Sequence, residues 1–292
     1  MDSLRILVSR HSAFYSPLIG TIAGGFLRAE GLEATYGVLQ PGQTSHAMIS
    51  SGQADIIQSA VSSNWKPMER GVAGLPLHFA QINCRDGFFV VGRVGGFTWS
   101  GLLSGEVLAD HALQPLAMLK YAARSNGVAW NDVRAADCGS PEEMDAAFRA
   151  GRGDYVHLQG PAAQQLEHDG AGKVLVSVGA SMPAVAFSSL TASREFLETD
   201  VARAFVRAYT ASRRWAREAP PADVAAAEAE FFPGVPPAAL AATVERYQQL
   251  GCWEGGVEIQ PELYEQSLNV FLNCGAISRR WAYEDVVVPP PV

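Results

Sequence analysis

Polar side chains that could bind a small molecule follow several apolar runs of this sequence. Asp86 could select an amine-bearing ligand through its carboxylate, or it could cap a turn. His11 and His111 can each donate or accept a hydrogen bond, and Gln159 carries one donor end and one acceptor end that fit an amide or a pyrimidine edge. These residue types predict recognition of a small polar or aromatic ligand through hydrogen bonds.

The other candidates for ligand contact each have a structural alternative. Tyr15 could orient a planar ligand with its hydroxyl or pack in the core, and Ser59 and Asn64 could be turn residues. Thr44 caps a predicted helix whose free N–H groups suit an anionic or carbonyl group. The set is completed by Arg10, Gln43 and Asn83. A sulfonate or nitrate site would need more positive charge than Arg10 alone supplies.

The sequence lacks a recognisable catalytic or metal-binding motif. It has no nucleophile elbow and no phosphate loop. The four cysteines lie far apart without a CxxC pair, so thiols are favoured over a zinc site or disulfides. We therefore expect no catalytic residue, metal or cofactor. The alternative is an enzyme of hydrolase, lyase or isomerase type that uses His11, His111 and Asp86 as acid–base groups. A cytoplasmic sensor or interaction protein that uses the same binding residues is a third possibility.

Composition excludes several classes of partner. The chain has 292 residues, of which 48% are hydrophobic, enough for a sizeable core and two domains. A net charge of -8 argues against a nucleic-acid surface, and no apolar run reaches the roughly 20 residues of a membrane span. The first ten residues enter a strand directly, without signal-peptide features. We expect a cytoplasmic protein as written, or a periplasmic one if the sequence is a trimmed mature form.

Strand and helix patterns alternate along the first part of the chain. Residues 4–8, 32–40 and 54–60 read as strands, each followed by a helical pattern, which is typical of a mainly parallel sheet. Ligands bind outside the carboxyl ends of such strands. We therefore expect one binding rim, built from the loops at residues 10–15, 40–44, 59–64 and 83–86.

Two apolar passages with polar breaks predict that the chain crosses between two lobes. The first is Leu75 to Arg93, interrupted at residues 83–87, and the return is Ala184 to Ala192. The prediction is an α/β fold of two Rossmann-like lobes joined by two crossing strands. Residues 1–87 and 188–292 would form lobe 1, with the C-terminal helices packing on it, and residues 88–187 would form lobe 2.

Local signals also predict individual helices. One helix is expected from Pro17 to about Glu30, and Ser62–Asn64 should cap a short helix at 65–70. Ser140 with Glu143 forms a capping box. A single helix is expected over 194–218, and the proline-rich tail 286–292 should be loosely attached.

Five parts of the chain carry a resemblance to a known family: Arg28–Leu32, Ile49–Asp55, Asp86–Val90, Glu195–Trp215 and the pattern from Trp253 through Tyr264 to Gly275. These segments resemble the type II periplasmic binding proteins. Within them, the chain is most similar to the NMT1-like group of substrate-binding proteins for nitrate, sulfonate, taurine and thiamine-pyrimidine precursors. The resemblance implies a monomer or weak dimer that binds a solute between its lobes. It further implies the substrate-binding component of an ABC-type uptake system, with a membrane permease as partner, or a cytoplasmic relative.

Overall fold

Two five-stranded sheets form the framework of the computed structural model, which describes residues 2–292. The first contains β1 (Asp2–Val8), β2 (Leu32–Val38), β3 (Ile56–Ser59), β4 (Leu77–Asn83) and β10 (Ser188–Ala192). The second contains β5 (Phe88–Gly92), β6 (Glu106–Leu108), β7 (Arg134–Ala136), β8 (Tyr155–Gln159) and β9 (Lys173–Ser177). Their strand orders are β2-β1-β3-β10-β4 and β7-β6-β8-β5-β9.

Helices pack around both sheets. Those following strands of the first sheet are α1 (Ser16–Ala23), α2 (Phe26–Ala29), α3 (Ser45–Ser50) and α4 (Ser62–Glu69). Those among the strands of the second sheet are α5 (Leu113–Ser125), α6 (Pro141–Arg149) and α7 (Ala162–His168). The C-terminal helices are α8 (Arg194–Leu197), α9 (Asp200–Glu218), α10 (Pro221–Glu228), α11 (Pro237–Gln249) and α12 (Pro261–Asn273).

The chain passes between the sheets twice, as the sequence predicts. It leaves the first sheet after β4 and returns to it at β10, and the two connecting segments hydrogen-bond to each other through Phe187 N to Asn83 O and Val185 N to Cys84 O. β10 and β5 run antiparallel to their neighbours, whereas β1 is parallel to β2 and β3. We call the body around the first sheet lobe 1 and the other lobe 2. The lobe boundaries at 87/88 and 187/188 stay a prediction.

The C-terminal helices contact both lobes. α9 packs along α1 and α2 of lobe 1, as expected from its position. α11 also contacts α7, and α12 also contacts α5, so these two helices join lobe 1 to lobe 2. Among the described residues, no helix combines the length and apolar character needed to cross a bilayer.

Two predicted helices are each divided in two. The helix expected over 17–30 is broken because Gly25 adopts a left-handed φ of 75°, which separates α1 from α2. The helix expected over 194–218 is interrupted where Thr199 caps a new start by accepting from Ala202 N. The expected Ser62–Asn64 cap is also wrong, since these residues already lie in α4.

The tail is anchored at its start, contrary to prediction. Val286 and Val287 are buried, and His78 donates its backbone N–H to Val286 O and accepts from Val288 N. This bridge protects the edge of β4, since an uncovered edge strand leaves backbone groups unpaired. Proline content alone could not reveal that pairing.

Candidate functional site

Loops at the strand ends of both lobes face one another across a cleft. β1 is followed by Ser9 and Arg10, and β3 ends at Ser59; from lobe 2, Gln159 ends β8. A cavity of about 270 Å³ is lined by Arg10, Tyr15 and Ser59, and one of about 810 Å³ by Arg10, His11 and Gln159. Arg10 borders both cavities, so it stands at the centre of the cleft.

Arg10 meets a carboxylate from the opposite lobe. Its Nη1 lies 2.6 Å from Oδ2 of Asp110, which follows β6, and its guanidinium lies 5.3 Å from the centre of the Phe88 ring. The two atoms do not align as a directional hydrogen bond, but charge compensation depends mainly on distance. The other carboxylate oxygen of Asp110 accepts from Ala112 N at 2.9 Å, which fixes its position.

Gln159 is a buried amide without a partner at the wall of the larger cavity. It is 5% exposed, and neither its Nε2 nor its Oε1 has a hydrogen-bond partner in the described residues. The next residue is held on both sides, because Ser12 Oγ donates to Gly160 O and Gly160 N donates to Tyr247 Oη. A buried amide with four unused hydrogen-bonding positions is costly unless a ligand or water satisfies it.

His157 lies two residues before Gln159, so both side chains are on the same face of β8. It is fully buried, its ring lies 4.6 Å from that of Phe88, and neither ring nitrogen has a partner among residues 2–292. Burial lowers the pKa of His157 to about 4, so the ring is neutral near pH 7. A neutral imidazole supplies one donor and one acceptor.

Sequence reasoning missed Asp110 and His157. Asp110 follows β6 as closely as the other rim residues follow their strands, but the prediction chose its neighbour His111. His111 is exposed, and its Nδ1 lies 2.8 Å from Ala109 O. The alternation of a strand would have placed His157 beside Gln159.

His11 is engaged within lobe 1. Its Nδ1 lies 2.9 Å from Tyr36 Oη and its Nε2 lies 2.7 Å from Phe231 O, and its ring stacks on Phe232 at 4.5 Å. Burial lowers the pKa of His11. Because both nitrogens have partners, His11 has no free nitrogen for a ligand in the larger cavity that it borders.

Tyr15 is buried beside the smaller cavity, and Ser59 lines the same cavity. Burial raises the pKa of Tyr15, against the opposing effect of the Arg10 charge, so its phenol stays protonated. Its hydroxyl lies near Gln159 and Ser188 without meeting hydrogen-bond geometry. The predicted residues that border the cavities are thus Arg10, His11, Tyr15, Ser59 and Gln159.

Two predicted residues lie at the first crossing instead. Asn83 donates to Phe14 O at 2.8 Å, and Asp86 Oδ1 accepts from Phe88 N at 2.7 Å. Both are fully buried, and burial raises the pKa of Asp86 to about 8. Their bonds stabilise the passage of the backbone between lobes, and neither residue is among those that line the two cavities.

Three further predicted residues make local contacts. Asn64 donates to Pro76 O at 2.9 Å inside lobe 1. Gln43 and Thr44 are exposed: Gln43 accepts from Gln40 N, and Thr44 caps α3 by accepting from Ala47 N. The structure does not bring these three to the walls of either cavity.

The arrangement can bind a molecule but does not assemble an acid–base pair from the predicted groups. His11 is bonded to Tyr36, Asp86 lies at the crossing, and His111 is on the surface. Within residues 2–292, no group of three or more His, Cys, Asp or Glu side chains is placed to hold a metal ion. Hydrogen bonding, stacking and charge are therefore the means this cleft has for recognising a ligand.

Comparisons with known proteins show which chains this protein resembles in sequence and in fold. No family model matches the chain. A Bacillus subtilis (strain 168) protein described as "Putative binding protein YtlA" is 22% identical over 98% of this chain and 88% of its own. The ligand-binding component of an ABC-type import system from Staphylococcus aureus, with zinc bound, has a TM-score of 0.78 at 18% identity, over 99% of this chain and 97% of that one.

Two further solved structures differ in what their proteins do. The alkanesulfonate-binding protein SsuA from Xanthomonas axonopodis, bound to MOPS, has a TM-score of 0.71 at 16% identity, over 99% of both chains. A mutant of the desulfurization enzyme DszB, in complex with biphenyl-2-sulfinic acid, has a TM-score of 0.68 at 16% identity, over 99% of this chain and 96% of that one. These likenesses confirm the predicted fold: the chain has the fold of the type II periplasmic binding proteins.

Proposed function

We propose that this protein binds a small polar or aromatic molecule between its two lobes. The observation that carries the proposal is the buried, unpartnered amide of Gln159 at the wall of a cavity of about 810 Å³. A cavity of this size matches the usual volume of small-molecule sites. A ligand that enters the cavity can supply the hydrogen bonds that buried polar groups at its wall lack.

We also propose that the protein serves an ABC-type uptake system, with a membrane permease as partner. Support comes from the import component of Staphylococcus aureus and from SsuA, whose structures align with nearly the whole of this chain. A monomer or weak dimer would suit this role. Fractionation of cells that produce the protein would show whether it is periplasmic or cytoplasmic. Co-purification with a membrane permease from the same cells would test the partner.

Titration calorimetry against pyrimidines, aromatic carboxylates and alkylsulfonates tests the binding role. We expect a ligand from this panel, or one that co-purifies, to bind the wild-type protein. Gln159→Ala should weaken that binding by about tenfold, because a lost hydrogen bond in a buried site costs about 1–3 kcal/mol.

The matched control is Gln53→Ala, which removes an exposed glutamine that donates to Ser51. Its affinity should equal that of the wild type. The proposal fails if no compound binds, or if both variants bind equally well. Chemical conversion of the bound compound, followed by mass spectrometry, would instead support an enzyme on this fold, as in DszB.

A further inference from the structure

We propose that the cleft selects ligands without net negative charge and that Asp110 imposes this selection. The inference rests on the proposed binding function and specifies its ligand class. The SsuA protein of Escherichia coli binds aliphatic sulphonates, which are anions. The charges around this cleft point to a different preference.

In the smaller cavity, Arg10 is the one charged residue among the described residues that line the walls. Its guanidinium already faces Asp110 at 2.6 Å, and the Asp110 side chain is only 6% exposed. A buried carboxylate so close compensates the arginine and is poorly screened by solvent. An entering anion must therefore displace Asp110 or lie beside it as a like charge.

The arginines that border the larger cavity are also compensated by carboxylates. Its second cation, Arg149, is paired with Asp145 at 2.7 Å and with Asp169 at 2.8 Å. Glu142 adds another carboxylate to the wall. Each arginine that borders the cavities is thus paired with at least one carboxylate. The carboxylates outnumber the arginines, so the net charge around the cavities is negative.

The groups left for a ligand are neutral donors and acceptors. Gln159 lines the larger cavity with a donor and an acceptor that have no partner, whereas His157, on the same face of β8, is fully buried and lines neither cavity. Phe88 lies opposite Gln159 in the strand register and adds an aromatic surface. The Gln159 amide and the Phe88 ring fit a planar neutral group with an amide-type edge, such as a lactam, a ureide or a carboxamide.

Asp110→Asn tests the selection directly. The amide keeps an oxygen that can accept from Ala112 N, but it no longer neutralises Arg10. Uracil and benzamide serve as neutral probes, and ethanesulfonate and benzoate as anionic ones, in calorimetric titrations at constant ionic strength. We expect the ratio of anion affinity to neutral-probe affinity to rise by at least about tenfold in the variant.

Asp55→Asn is the matched control, because Asp55 forms an ion pair with Arg5 on lobe 1, away from both cavities. It should leave the affinity ratio at the wild-type value. Asp110→Ser, which also removes the charge and keeps a hydroxyl oxygen for Ala112 N, repeats the test if the asparagine variant does not fold.

The outcomes separate the two proposals. If the wild type prefers ethanesulfonate or benzoate to both neutral probes, charge selection is overturned while binding stands. An unchanged ratio in the Asp110 variants also overturns the selection. If neither wild type nor variant binds any probe or co-purifying molecule, both proposals fall.

Discussion

Gln159 and His157 are polar side chains of one strand that are buried without hydrogen-bond partners. Strand ends predicted Gln159 at the rim, and the structure places it at a cavity wall. His157, inside the same strand, was not among the predicted site residues. Its unpartnered nitrogens depend on what packs beside β8, which strand position does not specify.

Two buried carboxyl groups should make stability depend on pH. Burial raises the pKa of Asp86 and that of Glu228 to about 8 each, and Ser16 Oγ donates to Glu228 at 2.8 Å. Since these values lie above those of the unfolded chain, the folded state keeps protons that the unfolded state releases. The free energy of unfolding should therefore fall as pH rises toward 8, then level off.

The window from pH 6.5 to 8 isolates this effect. Below pH 6.5 two buried histidines also contribute, because burial lowers the pKa of His78 to about 3 and that of His157 to about 4. They raise the free energy of unfolding as pH rises, which is opposite in sign to the effect of the two carboxyl groups. Within the window, each carboxyl should contribute a slope of up to about 1.4 kcal/mol per pH unit. Urea denaturation of Asp86→Asn and Glu228→Gln should show a shallower slope than wild type. Equal slopes would contradict the raised pKa values.

Among the secondary-structure elements, the helix with the strongest local signal was predicted well. The capping box of α6 forms as expected, with Ser140 and Glu143 each bonding the other's backbone N–H. The break between α1 and α2 was missed because Gly24 and Gly25 can each continue a helix or end it. In the structure Gly25 takes the left-handed conformation that ends α1, and both helices pack against α9.

The crossings depend on close backbone approach at Gly179. A Cβ there would overlap the carbonyl oxygen of Asp86. Gly179→Ala should lower the free energy of unfolding by about 3 kcal/mol, because backbone at the crossing cannot move aside as a flexible side chain could. Urea denaturation measures the change.

Gly256→Ala is the matched control for this element. A Cβ added at Gly256 would meet no atom within 4 Å, and the φ of this residue is outside the left-handed region. The free energy of unfolding should stay within about 0.5 kcal/mol of wild type. Equal effects of the two substitutions would show that the crossing tolerates a side chain.

In the whole molecule, Tyr247 of α11 joins the two lobes. Its hydroxyl accepts from Gly160 N at 2.8 Å and donates to Gly87 O at 3.0 Å, and the side chain is fully buried. Tyr247→Phe leaves both backbone groups without this partner, so it should cost about 2 kcal/mol in free energy of unfolding.

Tyr121→Phe is the comparison, because its half-buried hydroxyl only accepts from Gln266 at 3.3 Å. Its cost should stay below about 0.5 kcal/mol. Chemical denaturation with probes in each lobe would measure both variants. A negligible effect of Tyr247→Phe would show that this hydroxyl does not couple the lobes.

The sequence by itself determined the α/β class, the two crossings and most strand positions. These follow from apolar periodicity and polar breaks, which are local properties of the chain. It also identified Arg10 and Gln159 as rim residues, because strand ends define a rim.

Only the tertiary structure decided what each polar group meets. Asp110 compensates Arg10 from the other lobe, His11 is engaged by Tyr36 and Phe231, and Asp86 is enclosed at the crossing. These contacts join residues far apart in sequence, so no spacing or periodicity encodes them. Burial and partner charge then determine which groups remain available to a ligand.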